Sequence, residues 1–259
     1  MKPESLSALK RLVLLALCLL PLAGAAEDLK FYDVEIIIFR NDKVPRSAEL
    51  SLPYPAPTPT AGTLDLSDPN QAQAISAAGF SVLPPEEHRL ADQAQTIKRS
   101  SRYELLLHQA WRQPGLDREQ AIPVRIKAGR LFSKKYSSID QFSQLANPSA
   151  GVSVAGFHEL EGLVKVTLSR YLHTHSDLVL RKPSGAVMLA SQQAADGSES
   201  LIGQQLINYS MNEQRRMRSN RLHYLDHPQF GMLVLITPYQ AEDESPEDQA
   251  QPAEPEQSE

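Results

Sequence analysis

Apolar residues in this chain recur with a period of two far more often than with the period of a helix. Val34 to Phe39 (VEIIIF) is a β-branched run without turn residues, the pattern of a buried first strand. Tyr103 to Trp111 predicts a second strand, closed by Gln113-Pro114-Gly115. Val124 to Ala128 predicts a short third, closed by Gly129. The clearest alternation runs from Leu163 to His175. There Val164, Val166, Leu168 and Leu172 share one face, and Lys165, Thr167, Ser169, Tyr171 and His173 share the other. Leu178 to Arg181 and Ala186 to Ala190 predict two short strands joined as a hairpin at Pro183-Ser184-Gly185. Further strands are expected over about 205–217 and over Met232 to Thr237.

One segment carries helical spacing. Pro84-Pro85-Glu86-Glu87 is a helix-start signal, its acidic residues favoured at the positive end of the dipole. Leu90, Ala94 and Ile97 follow at helical intervals, which predicts a helix over roughly 86–100. Between the first strand and this helix, Pro45 to Pro69 holds six prolines and reads as a long extended loop, of the kind that is functional or mobile. Residues 130–158 show no consistent period. Strands linked by hairpins with a single helix predict an α+β fold, a mainly antiparallel β-sheet with a helix packed on one face.

The two ends of the chain read differently from this body. Lys2, Lys10 and Arg11 precede an apolar run from Leu12 to Leu22, which is followed by Ala23-Gly24-Ala25-Ala26 and then the acidic Glu27-Asp28. A basic lead, a short hydrophobic core and small residues make a secretory signal peptide, removed after residue 26. The run is too short for a membrane span of about 20 residues, so no stable membrane insertion is expected after cleavage. Cys18 lies inside the hydrophobic core with the bulky Leu17 before it, a poor lipid-attachment position, and reads as a packing residue lost on cleavage. From Ala241 to Glu259 there are eight acidic residues, three prolines and no basic residue, the composition of a disordered tail. The expected layout is therefore a signal peptide over 1–26, one α+β domain over 27–240 and an acidic tail over 241–259.

Charge and cysteine counts narrow the chemistry. The 259-residue chain has 26 Lys+Arg against 31 Asp+Glu. Removal of residues 1–26 takes away three basic and one acidic residue, leaving 23 against 30, a net charge of −7. Eight of those acidic residues lie in the tail, so the body is close to neutral. Neither sign of charge nor compartment favours nucleic acid. Cys18 is the only cysteine, which excludes disulfides within the chain and cysteine-based zinc sites.

Three places carry candidate chemistry. The first is Arg170-Tyr171-Leu172-His173, with His175 and Asp177 behind it. In a strand, His173 and His175 point to one side about 7 Å apart. The second is Arg215-Arg216-Met217-Arg218, with Arg221 close after. Strand alternation places Arg215 with Met217 and Arg216 with Arg218, so 216 and 218 are expected on the wet face. Clustered guanidinium groups suit carboxylates, which they hold bidentately. A solvated edge strand is the plainer reading. The third is His223-Tyr224-Leu225-Asp226-His227-Pro228. Two histidine pairs with aspartates offer metal ligands, but there is no HExxH spacing, and Pro228 stops most helices. The plainer reading has His223 packing in a strand-to-turn corner and Asp226 capping the turn before the last strand. No metal or cofactor is assigned.

The same residues carry a family resemblance. The stretches Tyr32 to Arg40, Leu107 to Pro114, Arg170 to His173, Arg215 to Ser219, Leu222 to Pro228 and Phe230 to Val234 are similar to the CsiV-type peptidoglycan-binding proteins of proteobacteria. The resemblance spans residues 32–238 and leaves out the acidic tail. It implies a periplasmic, non-enzymatic protein that binds peptidoglycan and supports its synthesis, with a peptidoglycan synthase or its lipoprotein activator as partner. It carries over no binding residue. The candidates from the residues themselves are Arg170, Tyr171, His173, Arg215, Arg216, Arg218, Arg221, His223, Tyr224, Asp226 and His227. Two other classes stay open: a wall hydrolase using Asp226, His223 and His227, and a protein-binding adaptor. No GxSxG nucleophile motif supports the hydrolase.

Overall fold

The computed structural model describes residues 29–44, 54–132, 136–137, 156–190 and 201–240. The expected signal peptide, the acidic tail, the first part of the proline-rich loop and most of 130–158 lie outside the described residues. Among the described residues, ten strands make two five-stranded sheets. The first sheet has the order β2-β3-β1-β10-β9, built from β1 (Phe31–Asn41), β2 (Ser81–Val82), β3 (Tyr103–Pro114), β9 (Leu222–His227) and β10 (Phe230–Tyr239). The second has the order β4-β6-β7-β8-β5, from β4 (Val124–Phe132), β5 (Tyr136–Ser137), β6 (Phe157–Leu168), β7 (Leu172–Ala190) and β8 (Leu201–Met217). Neighbours are antiparallel except β5 beside β8.

The chain is α+β with sheet predominating, as its pattern predicts, but its strands form two layers where one sheet was expected. Val34, Ile36 and Ile38 of β1, with Met232, Val234 and Ile236 of β10, face Val164, Val166, Leu178, Leu180, Tyr209 and Met211 of the second sheet. Trp111 is fully buried in this shared core. The other face of β1, with Ile37 and Phe39, is covered by Leu90, Ala94 and Ile97 from a helix. β1 is thus a central strand with both faces buried, which accounts for the consecutive apolar residues Ile36 to Phe39. Layers therefore run helix, first sheet, second sheet.

Two helices are present among the described residues: α1 (Ala72–Ala77), which the pattern did not predict, and α2 (Ala91–Arg99). The expected helix over 86–100 starts later. Pro85–Glu87 forms a separate 3-10 turn, and the Glu35 carboxylate accepts hydrogen bonds from the Arg89 and Leu90 amides at 2.8 and 2.9 Å. That tertiary contact sets the start of α2.

Two strand boundaries also differ. The alternation from Leu163 to His175 belongs to two strands, β6 and β7, which turn over at Ser169–Tyr171 so that Leu168 pairs with Leu172. The turn holds an odd number of residues, so parity continues across it and the pattern hides the reversal. The opposite happens at Pro183-Ser184-Gly185. The expected hairpin is an irregularity inside one strand, with Pro183 opposite Leu206 and Val187 opposite Gln204 on β8. A strand absorbs such an insertion where a proline cannot donate to the ladder. The proline-rich loop is tied down at its end, where Leu64 bridges to Val124 and Asp65 pairs with Lys127 at 2.5 Å.

Candidate ligand-binding groove

The corner predicted from His223 to Pro228 is a strand, β9, at the edge of the first sheet. It returns into β10 through Pro228-Gln229, with His227 opposite Phe230. Three bonds hold this tight turn. His227 Nδ1 accepts from the Gln229 amide (3.1 Å), the Asn41 side chain donates to the Pro228 carbonyl (3.2 Å), and the Asn41 amide donates to the Gln229 carbonyl (2.8 Å). The turn cap is thus His227. Asp226 accepts instead from the Tyr224 hydroxyl at 2.5 Å, which corrects the expectation that Asp226 caps the turn.

Gly231 lies between Phe39 on β1 and Asp226 on β9. A Cβ there would come within 2.6 Å of the Tyr224 ring and 2.8 Å of the Phe39 ring. The missing side chain lets both rings lie over the backbone of β10, near parallel at 9° with centroids 6.2 Å apart. Tyr103 meets Phe39 edge-on at 5.1 Å. These three rings and Phe230, with Asn41, Arg102, Asp226 and His227, line a groove of about 330 Å³. Tyr224 is 43% exposed. Burial, and then the Asp226 carboxylate, push its hydroxyl well above the usual phenol range, so it stays a proton donor. Arg102 is exposed at the rim, with Nε 3.3 Å from Asn41 Oδ1 and its guanidinium 5.4 Å from the Tyr103 ring. Apolar faces ringed by an arginine, an aspartate and an asparagine fit a ligand with both hydrocarbon faces and polar groups.

The arginine run is dispersed. Arg215 is exposed, yet its guanidinium donates to the Tyr224 carbonyl at 2.5 Å, joining β8 to β9 where the two sheets meet. Met217 is buried. Arg216 lies on the outer face of the second sheet, its guanidinium 3.3 Å from the centre of the Tyr171 ring, with His173 opposite it on β7. Arg170 is exposed and 5.5 Å from the same ring. Arg218 and Arg221 are exposed in the turn before β9, which is held by the Arg218 amide donating to His223 Nε2 at 3.0 Å. Tyr224 and Asp226 thus face the groove on the outer side of the first sheet, while Arg170, Tyr171, His173 and Arg216 occupy the far side of the molecule.

That far face carries mixed charge. His175 is held below the usual histidine range by burial and then by Lys165, Arg118 and His173. Burial raises the Asp177 carboxyl, whose Oδ1 has no hydrogen-bond partner among the described residues. His223 and Asp226 stand three residues apart in a strand and so point to opposite faces. This separates two members of the trio the hydrolase reading needs. Phe39, Asn41, Arg102 and Tyr103 escaped the sequence reading. Only an Arg-Tyr pair directly after the helix stop at Ser100-Ser101 hinted at them.

The family model described as "Peptidoglycan-binding protein, CsiV" matches residues 9–239. The chain belongs to the CsiV family. The match takes in every strand of both sheets and all residues of the groove, and stops before the acidic tail. No curated protein and no solved structure matches the chain. The resemblance read from the sequence is borne out, and with it membership of a family described as binding peptidoglycan. No helix among the described residues is long and apolar enough to cross a membrane.

Proposed function

We propose that this CsiV-family protein works in the periplasm as a non-enzymatic peptidoglycan-binding module. In this reading it holds the wall polymer in the groove between Arg102–Tyr103 and the β9–β10 hairpin, and supports synthesis alongside a peptidoglycan synthase or its lipoprotein activator. The observation that carries the reading is the stacked Phe39–Tyr224 pair over Gly231, flanked by Tyr103 and Arg102. Sugar rings present axial C–H faces that pack on aromatic faces, and their hydroxyl and acetamido groups suit Asp226 and Asn41. Stem peptides present carboxylates, which suit the free donors of Arg102. A module of this kind needs no nucleophile, and the histidines of the corner serve as backbone acceptors.

Incubation of the purified protein with insoluble sacculi tests this. Co-sedimentation with no release of muropeptides is the expected result. Release of muropeptides would support a hydrolase, and a protein that stays in the supernatant would support an adaptor.

The Arg216–Tyr171 stack supports a secondary contact for stem-peptide carboxylates. Each charged hydrogen bond lost there costs about 1.5–3 kcal/mol at most. The double variant Arg216→Ala, Arg218→Ala is expected to weaken sacculus binding by roughly ten- to a hundredfold. Arg215→Ala is expected to have less effect, because its guanidinium is committed to the Tyr224 carbonyl. Sedimentation isotherms of the two folded variants decide between these outcomes.

A further inference from the structure

A second cluster lies at the other end of α2. Glu35 on β1, His108 on β3 and His88 just before α2 each place one donor atom within 4.8 Å of the other two. Glu35 is 5% exposed. Its carboxylate is fixed by the Arg89 and Leu90 amides at 2.8 and 2.9 Å, and Oε1 lies 2.6 Å from His108 Nε2. The two imidazole rings are 4.5 Å apart, tilted by 58°. His88 Nε2 lies 3.3 Å from the Leu83 carbonyl. When Nε2 donates there, Nδ1 keeps its lone pair, the outer-shell arrangement that orients a ligating histidine.

We propose that Glu35, His88 and His108 bind a divalent transition-metal ion of the zinc type. The electrostatics call for a cation. Among the described residues no lysine or arginine side chain pairs with the Glu35 carboxylate, and its only side-chain partner is an imidazole. A buried carboxylate is costly unless positive charge faces it, and a divalent ion supplies more of that charge than an imidazole and two amide dipoles do. Two imidazoles and one carboxylate are a known zinc donor set, with three protein ligands leaving a coordination position open. Tetrahedral coordination at 2.0–2.2 Å separates ligand atoms by roughly 3.3 Å, so the His108–Glu35 contact opens by about 0.7 Å on loading. Nitrogen donors favour zinc, nickel and copper over magnesium and calcium. Ala110, the β3 residue opposite Glu35, is small and buried. The three ligands come from distant segments, so no sequence motif announces them. The sequence reading weighed only the His173–His175 and His223–His227 pairs for metal.

Titration of untagged, chelator-treated protein with zinc, followed by calorimetry and by thermal melting, tests the site. The expected result is one zinc per chain and a melting temperature raised by several degrees, because an ion that binds only the folded state stabilises it. Cobalt in place of zinc should give the visible bands of a four-coordinate site. His88→Ala changes a partly exposed side chain and should fold normally without metal, yet lose roughly a hundredfold in zinc affinity. His108→Asn should lose as much. The variant His173→Ala, His175→Ala should bind as the unaltered protein does. Absence of zinc binding, or binding that survives both His88→Ala and His108→Asn, would overturn the proposal.

Discussion

Replacing Arg40 with alanine is expected to cost the protein about 3–5 kcal/mol of stability. Arg40 sits at the end of β1 with its guanidinium paired to Glu159 of β6, to Glu104 of β3 and to Asp42. It therefore joins the two sheets. Glu159 is fully buried, and its other oxygen accepts from the Arg130 amide at 3.0 Å. Burial alone lowers the Arg40 pKa, and the hydrogen bond to Asp42 with the charge of Glu159 more than reverses this. Loss of the arginine leaves a buried carboxylate with only the Arg130 groups to face. Removing one partner of a buried pair is far worse than removing both. Arg40→Met combined with Glu159→Leu should thus recover much of the loss. For a chain of this size the single variant should melt on the order of 10 °C lower. Melting curves of Arg40→Met, of Glu159→Leu and of the double check this. Additive losses would show that the pair is not coupled.

Tyr224→Ala is expected to weaken sacculus binding by roughly 30-fold, about 2 kcal/mol, the loss typical of a central aromatic anchor. Truncation removes one of two stacked faces and also the donor to Asp226. Because Tyr224 is 43% exposed and sits on an edge strand, the fold should tolerate the change. Gly231→Ala approaches the same floor from below. Its Cβ would press on Tyr224 and Phe39, so both rings must shift. A comparable fall in affinity is expected with all ring atoms still present. Tyr224→Phe keeps the ring, loses only the hydroxyl and should fall between the unaltered protein and Tyr224→Ala. Binding isotherms of the three variants give this order. Affinity equal to that of the unaltered protein in all three variants would remove the groove from the binding surface.

The strands of the core were legible because their apolar periodicity is decided locally. β1 declared itself as a buried strand, and residues 164, 166 and 168 declared their face. What misled was parity. The turn at Ser169–Tyr171 preserves alternation, and the insertion after Pro183 looks like a hairpin signal although β8 runs past it. The start of α2 was misplaced because a side chain from β1, Glu35, sets it through tertiary contact. Six-residue α1 buries only Ile75 and offers too little pattern to read. Of the candidate residues, Tyr224, Asp226 and His227 meet at the groove, while the arginines divide between a sheet-to-sheet tie, the far face and the turn. Composition showed a guanidinium cluster, but strand alternation and the fold of the sheets decide where each one goes. Arg102, Tyr103 and Phe39 were invisible as a site because they become neighbours only when β3, β1 and β9 are brought into one sheet.

Hydrogen exchange of the protein with and without a soluble disaccharide–stem-peptide fragment locates the ligand most directly. Slowed exchange should centre on the β9–β10 hairpin, residues 223–232, and on Arg102–Tyr103 at the start of β3, with the outer face of β7 and β8 changing less. Protection confined to residues 171–177 and 212–218, with the hairpin unchanged, would contradict the groove as the place where the wall polymer is held.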